Sequence, residues 1–226
     1  MIKYHPSDEM LLAHAAGETT LGLAIALSAH CEMCCECASK VATMQSRLAQ
    51  HFLLQADVDD KDWQGMDGLF DAITADDTAQ EQQTGARESA APATQVKGLD
   101  FALPGAFRQF MSNTKLASPW SGIGHVSRMR LDTLDGKARS SLLHIAAGGE
   151  IPEHTHKGQE ITLLLHGHFE DEFGSYGPGD FMLMDPSNQH TPKTRDGCLC
   201  YTVVDAPLHF TKGLSKLLNP IGELIY

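Results

Sequence analysis

The sequence predicts a multidomain α + β chain: a small all-α helical bundle first, an all-β barrel or sandwich after it. Three observations carry that prediction. Apolar residues recur at helical spacing up to about residue 75. The next stretch, ADDTAQEQQTGARESAAPATQ at 75–95, has no large hydrophobe and is rich in Ala, Gln, Thr and Ser. From about 96 the pattern becomes short β-rich runs punctuated by Gly and Pro. The expected organisation is therefore a helical domain at 1–78, a linker at 79–96 and a β domain at 97–226.

The helical elements follow from local signals. Ser7 followed by Asp8 and Glu9 reads as a helix start, and Gly17 as its stop. A second helix is expected over about Thr20–His30. A third is expected from about Cys34 to Gln55, with Val41, Met44, Leu48 and Phe52 on one stripe. Trp63, Met66, Leu69, Phe70 and Ile73 mark a fourth. Four short helices pack most simply as a bundle, and so small a core often needs a metal to support it. In the β region, Asp135-Gly136 between two strand-like runs signals a hairpin. The closing LSKLLNPIGELIY reads as a short helix or strand capping the barrel.

Composition narrows the function classes. The chain has 226 residues, 17 basic and 29 acidic, for a formal net charge of −12. A surface that acidic disfavours direct binding to nucleic acid or to anionic membranes, and favours a basic protein partner. The N-terminus MIKYHPSDEM lacks the apolar core of a signal peptide. The longest apolar run, near LGLAIAL, is too short to span a bilayer. A cytoplasmic location is expected, where thiols stay reduced.

Four of the six cysteines fall in HCEMCCEC at 30–37. A helical core that tolerates cysteine accounts for one or two of them, not for four in seven residues beside a histidine. A disulfide fits a reducing compartment less well, and a CxxC-type redox pair remains as an alternative. His30-x3-Cys34-x2-Cys37 places two thiols one helical turn apart with an imidazole on the preceding turn, a donor set suited to tetrahedral zinc. The fourth ligand has to come from elsewhere: His5 can fold back to supply it, and His14, Cys31, Cys35 and His51 are the other candidates.

With His5, this motif and a helical domain of about 75 residues before a β-rich one, the chain resembles the ChrR family of zinc-binding anti-sigma factors. The resemblance implies that His5, His30, Cys34 and Cys37 hold Zn2+. It also implies a cytoplasmic partner, an extracytoplasmic-function sigma factor; the acidic charge speaks against direct nucleic acid or membrane contact.

A second motif lies in GEIPEHTHKGQEITLLLHG at 149–167 and DFMLMDPSNQH at 180–190. His154-x-His156-x3-Glu160, followed by His190, resembles the metal motifs of the cupin superfamily, a double-stranded β-helix or jelly-roll barrel. His154 and His156 share one strand face. Three imidazoles and a carboxylate suit Zn, Mn, Fe, Ni or Cu; the family resemblance favours Zn2+. His166, His168, Cys198 and Cys200 read as ordinary strand positions.

Two functions fit. The first is an anti-sigma factor whose helical domain holds the sigma factor and whose cupin domain answers oxidative stress such as singlet oxygen. The acidic segment 57–77, with eight aspartates and one lysine, suits a basic groove. The alternative is a metal-dependent, oxygenase-like cupin enzyme with a helical oligomerisation domain. No catalytic acid, base or nucleophile stands out.

Overall fold

The computed structural model describes residues 1–55, 68, 71–72, 101–112 and 115–211. Of the expected fourth helix, only Gly68, Asp71 and Ala72 are among these, and all three are helical. The expected linker, the C-terminal cap and most of the acidic segment lie outside the described residues.

Three helices open the chain: α1 (Asp8–Ala15), α2 (Leu21–Met33) and α3 (Cys35–Gln55). Ser7 caps α1, its Oγ accepting from Met10 N at 3.2 Å. Gly17 ends it with a φ of +74°, a left-handed value that glycine adopts without a Cβ penalty. α2 runs three residues past the expected end, to Met33. Cys34 then breaks into extended backbone, its N–H donating to His30 O at 2.8 Å. Its own carbonyl accepts from Ala38 N at 3.0 Å. Cys34 thus ends α2 and starts α3, and the two helices bend by 119° across it. No single helix among the described residues is long and apolar enough to cross a membrane.

The α3 stripe is only half a core stripe. Val41 is buried and Met44 packs against the core, but Phe52, Leu53 and Leu54 are 67%, 77% and 81% exposed. Periodicity reports the face a helix can bury, and α3 extends beyond what it packs on.

After a short 3-10 turn (Gly105–Phe107) and α4 (Arg108–Ser112) come, among the described residues, eleven strands: β1 (Ser121–Ile123), β2 (Val126–Leu131), β3 (Arg139–Ile145), β4 (His154–His156), β5 (Glu160–Gly167), β6 (Phe169–Glu170), β7 (Ser175–Tyr176), β8 (Phe181–Met184), β9 (Gln189–His190), β10 (Cys198–Val204) and β11 (Leu208–Phe210). A six-stranded sheet has the order β1-β2-β3-β10-β5-β8; β11-β4-β9 and β6-β7 form smaller sheets. All named pairings are antiparallel, giving the expected β-sandwich. Asp135-Gly136 does sit between paired strands β2 and β3, in a connection longer than a two-residue hairpin.

The core has two parts, set by the two faces of the large sheet. Ile145, Leu164, Phe169, Tyr176, Met182, Met184, Cys198 and Cys200 cluster together. Leu163, Leu165, Leu199, Tyr201 and Val203 belong to a second cluster, which they share with Leu11, Ile25, Leu27 and Val41 of the helices. One face of the sheet therefore carries the helical region. The seam is also polar: the Asp135 carboxylate accepts from Leu21 N at 3.0 Å and Gly22 N at 2.6 Å, at the start of α2. Tyr201 donates its hydroxyl to Gly22 O at 3.0 Å. A Cβ on Gly22 would fall 2.5 Å from Ser140 Oγ, so the close approach of helix and sheet requires glycine there.

Candidate metal centres

His5, His30, Cys34 and Cys37 converge, with one ligand atom from each lying within 4.8 Å of all the others. The break at Cys34 brings this about. It turns the chain so that Cys34 and Cys37, at the start of α3, face His30 in the last turn of α2. His5 arrives on the extended segment before α1, its Nδ1 lying 3.5 Å from Cys34 Sγ and 3.4 Å from Cys37 Sγ. Of the candidates for the fourth position, His5 joins the cluster. His14 instead lies 3.4 Å from Ser28 Oγ, Cys35 is exposed, and His51 stands beside Phe52 on α3.

The residues fit a tetrahedral ion. Zn–N and Zn–S bonds of ordinary length set an N···S edge of about 3.6 Å, close to the two measured separations. His30 is fully buried, and its Nδ1 lies 2.8 Å from Gly179 O, which can only accept. Its Nε2 is thereby the lone-pair nitrogen, and this buried atom has no hydrogen-bond partner. An orphaned acceptor aimed at two thiols is costly alone and useful to a cation. Without a cation, burial and then the neighbouring Cys34 push the Cys37 thiol up to about 12. A bound metal reverses that balance by holding the thiolates.

In the barrel, His154 and His156 alternate onto one face of β4, and β9 pairs with β4 so that His190 stands opposite His154. All three are buried. His190 Nε2 lies 3.1 Å from His154 Nε2 and 3.3 Å from His156 Nε2. Each Nδ1 faces an acceptor: Pro152 O at 2.9 Å for His154, Glu160 Oε2 at 3.3 Å for His156, and Asp171 Oδ2 at 2.8 Å for His190. With Nδ1 donating in every ring, three Nε2 lone pairs point at one another. A cation relieves that repulsion, and metal–nitrogen bonds of ordinary length set N···N edges of about 2.9 to 3.4 Å. Burial lowers His154 to about 4, keeping it neutral and ready to coordinate.

Glu160 is not one of the three-ligand group. It stands at the opposite nitrogen of His156, one ring behind the converging Nε2 atoms. Burial would raise its pKa, but the hydrogen bond and charge of His156 bring it below the usual value. Asp171 was not foreseen as part of the site. Its side chain is buried, one oxygen on His190 and the other accepting from Phe173 N, Gly174 N and the Tyr176 hydroxyl. The Asp-x-x-Gly turn in DEFG was visible in the sequence, but the destination of the second carboxylate oxygen was not. His166 packs near Phe101, while Cys198 and Cys200 lie in the barrel core.

A buried histidine triad inside an antiparallel β-sandwich of cupin type, with a second His/Cys cluster on the helical region, gives the fold two candidate metal centres. Residues 114–207 match the ChrR Cupin-like domain family. The chain is 29% identical over 225 residues to the anti-sigma-E factor ChrR of Cereibacter sphaeroides, covering 99% of each. It is similar to a chain in the crystal structure of Rhodobacter sphaeroides SigE in complex with the anti-sigma ChrR, with a TM-score of 0.66 and 25% identity. That match covers 91% of this chain and 100% of that one. Along almost its whole length, then, the chain is similar to an anti-sigma factor of the ChrR type.

Proposed function

We propose that the chain is a zinc-dependent anti-sigma factor that keeps an extracytoplasmic-function sigma factor inactive in the cytoplasm. The observation that carries this reading is end-to-end similarity to an anti-sigma factor, through both the helical region and the barrel. An oxygenase with an incidental helical tail gives no reason for the four-ligand cluster, or for the core that the tail shares with the sheet.

On this reading His5, His30, Cys34 and Cys37 hold Zn2+, which fixes the α2–α3 break and so the helical surface offered to the partner. The exposed Phe52, Leu53 and Leu54 at the end of α3 are part of that surface. His154, His156 and His190 hold a second divalent ion, with Zn2+ compatible with the ligand set. Glu160 supports His156, and would have to swing past that ring to coordinate. The barrel receives the inducing signal, an oxidative stress such as singlet oxygen, rather than turning over a substrate.

The test is co-expression of the full chain with sigma factors of its own source, followed by size-exclusion chromatography and run-off transcription. The expected result is an equimolar complex with one sigma factor and loss of that factor's transcript. A folded chain with both metals that forms no such complex and leaves transcription unchanged would overturn the reading.

A further inference from the structure

The turn between β7 and β8, Gly177–Asp180, belongs to the barrel by sequence, yet it holds His30 of the helical cluster and the two residues just before His5. Gly179 O accepts from His30 Nδ1 at 2.8 Å. The buried Asp180 carboxylate accepts from Lys3 N at 2.6 Å and Tyr4 N at 3.0 Å. Phe181 N donates to Tyr4 O at 3.0 Å. Residues 3 and 4 are thus pinned just before His5. Gly179 has a φ of +91°, and a Cβ there would fall 2.4 Å from Ile2 Cδ1, so the segment lies directly on the turn.

The same segment touches the support of the barrel centre. The Tyr4 and Tyr176 rings lie 5.0 Å apart at 49°. Tyr176 donates its hydroxyl to Asp171 Oδ1 at 3.1 Å. The other Asp171 oxygen is the 2.8 Å partner of His190. From His190 to His5 the path is therefore Asp171, Tyr176, Tyr4 and the next residue, with direct contact at every step.

We propose that the two centres are coupled through this path, so that a metal held in the barrel slows loss of the metal held by His5, His30, Cys34 and Cys37. The inference rests on the reading of both clusters as metal centres. A metal on His190 fixes its ring, and the ring fixes Asp171. Asp171 orients the Tyr176 ring, against which Tyr4 packs and so presents His5. With the barrel empty, repulsion among the three Nε2 lone pairs strains His190 against Asp171, the Tyr4 segment loosens, and His5, the exposed ligand, leaves first. Asp171, Tyr176 and Tyr4 act as positioning residues; in binding free energy, though not in release rate, such a coupling is reciprocal between the sites.

The test follows zinc release from the zinc-loaded full chain into excess chromogenic chelator. The helical phase is the one absent in Cys34→Ser; the barrel phase is the one absent in His154→Ala, with His156→Gln as a second way to empty the barrel. The helical phase is expected to be about fivefold faster with the barrel emptied, near the low end of allosteric couplings. Tyr4→Leu should abolish that difference, whatever its own rate, because the effect of emptying the barrel then has no route to His5. Equal helical rates with the barrel full and empty would overturn the coupling while leaving both sites standing. An undiminished difference in the Tyr4→Leu background would overturn the route. Fewer than two zinc ions per wild-type chain would overturn the reading of the sites, and the coupling with it.

Discussion

In the barrel, each metal-facing histidine has its second nitrogen held, by Pro152 O, Glu160 or Asp171, and all three rings are buried. In the helical cluster only His30 has such support among the histidines, from Gly179 O, while His5 is exposed on an extended segment. The barrel centre comes from paired strands and is pre-oriented by its surroundings. The helical cluster comes from a helix end, a helix start and a tail, and on the proposed reading would depend on an ion to stay assembled. A site of the second kind couples metal binding to folding; one of the first kind is built before the ion arrives.

The largest expected effect tests that contrast. Cys34→Ser or Cys37→Ser should remove about one metal per chain and loosen α1 to α3, because the remaining ligands cannot hold the break at Cys34. On the proposed reading, His154→Ala should remove about one metal while the barrel stays folded and a bound sigma factor is retained. Metal analysis with circular dichroism reads the first pair, and the same complex assay reads the second. Unfolding of the barrel in His154→Ala would erase the distinction between the two centres.

A smaller effect tests the support rather than the ligands. Asp171→Asn keeps the shape but weakens the acceptor at His190 Nδ1. Loss of such a partner commonly costs 10- to 100-fold in metal affinity, and a loss of about that size is expected in competition with a chelator. The helical centre should keep its stoichiometry. Unchanged affinity would mean that the Asp171–His190 contact at 2.8 Å is structural only.

How much of this was legible follows from how far each signal reaches along the chain. The caps of α1, the seven His and Cys side chains that the structure gathers into two clusters and the sandwich were readable because each is a pattern within a few residues or a paired motif. Asp171 was not, because its partner is 19 residues away and is reached only when β9 folds beside the β6–β7 turn. The docking of the helices on the sheet was not read either, although a trace of it was present. β5 reads EITLLLHG, with Leu163, Leu164 and Leu165 all buried. A sheet wet on one face alternates apolar and polar residues; a continuous apolar run means both faces are covered. That run marked the contact across the expected domain boundary.

The seam invites a direct test of whether the two regions unfold together. Gly22→Ala would put a methyl 2.5 Å from Ser140 Oγ and 2.8 Å from Asp135 Oδ2. Overpacking of this sort costs about 1 to 3 kcal/mol. One thermal transition shifted as a whole would indicate one cooperative unit. Two transitions with only the helical one shifted would indicate that the shared core couples the regions weakly.

The smallest effect separates two ways of capping α2. Thr20 is the N-cap of α2, but its Oγ1 stands 3.5 Å from Leu23 N, at the edge of a hydrogen bond, and the residue is exposed. The Asp135 carboxylate, from the loop before β3, meets Leu21 N and Gly22 N at 3.0 and 2.6 Å, where a negative charge also favours the helix dipole. Thr20→Ala should therefore cost about 0.5 kcal/mol or less, the low end for a cap. Asp135→Ala should cost about 1 to 2 kcal/mol, because it removes the acceptor for two N–H groups. Denaturant unfolding of the two variants decides it. If Thr20→Ala proves the costlier, α2 is capped from within the helical region, and the barrel is a platform the helices rest on. If Asp135→Ala does, the barrel supplies the start of α2 as well as the turn that holds His30 and the segment before His5.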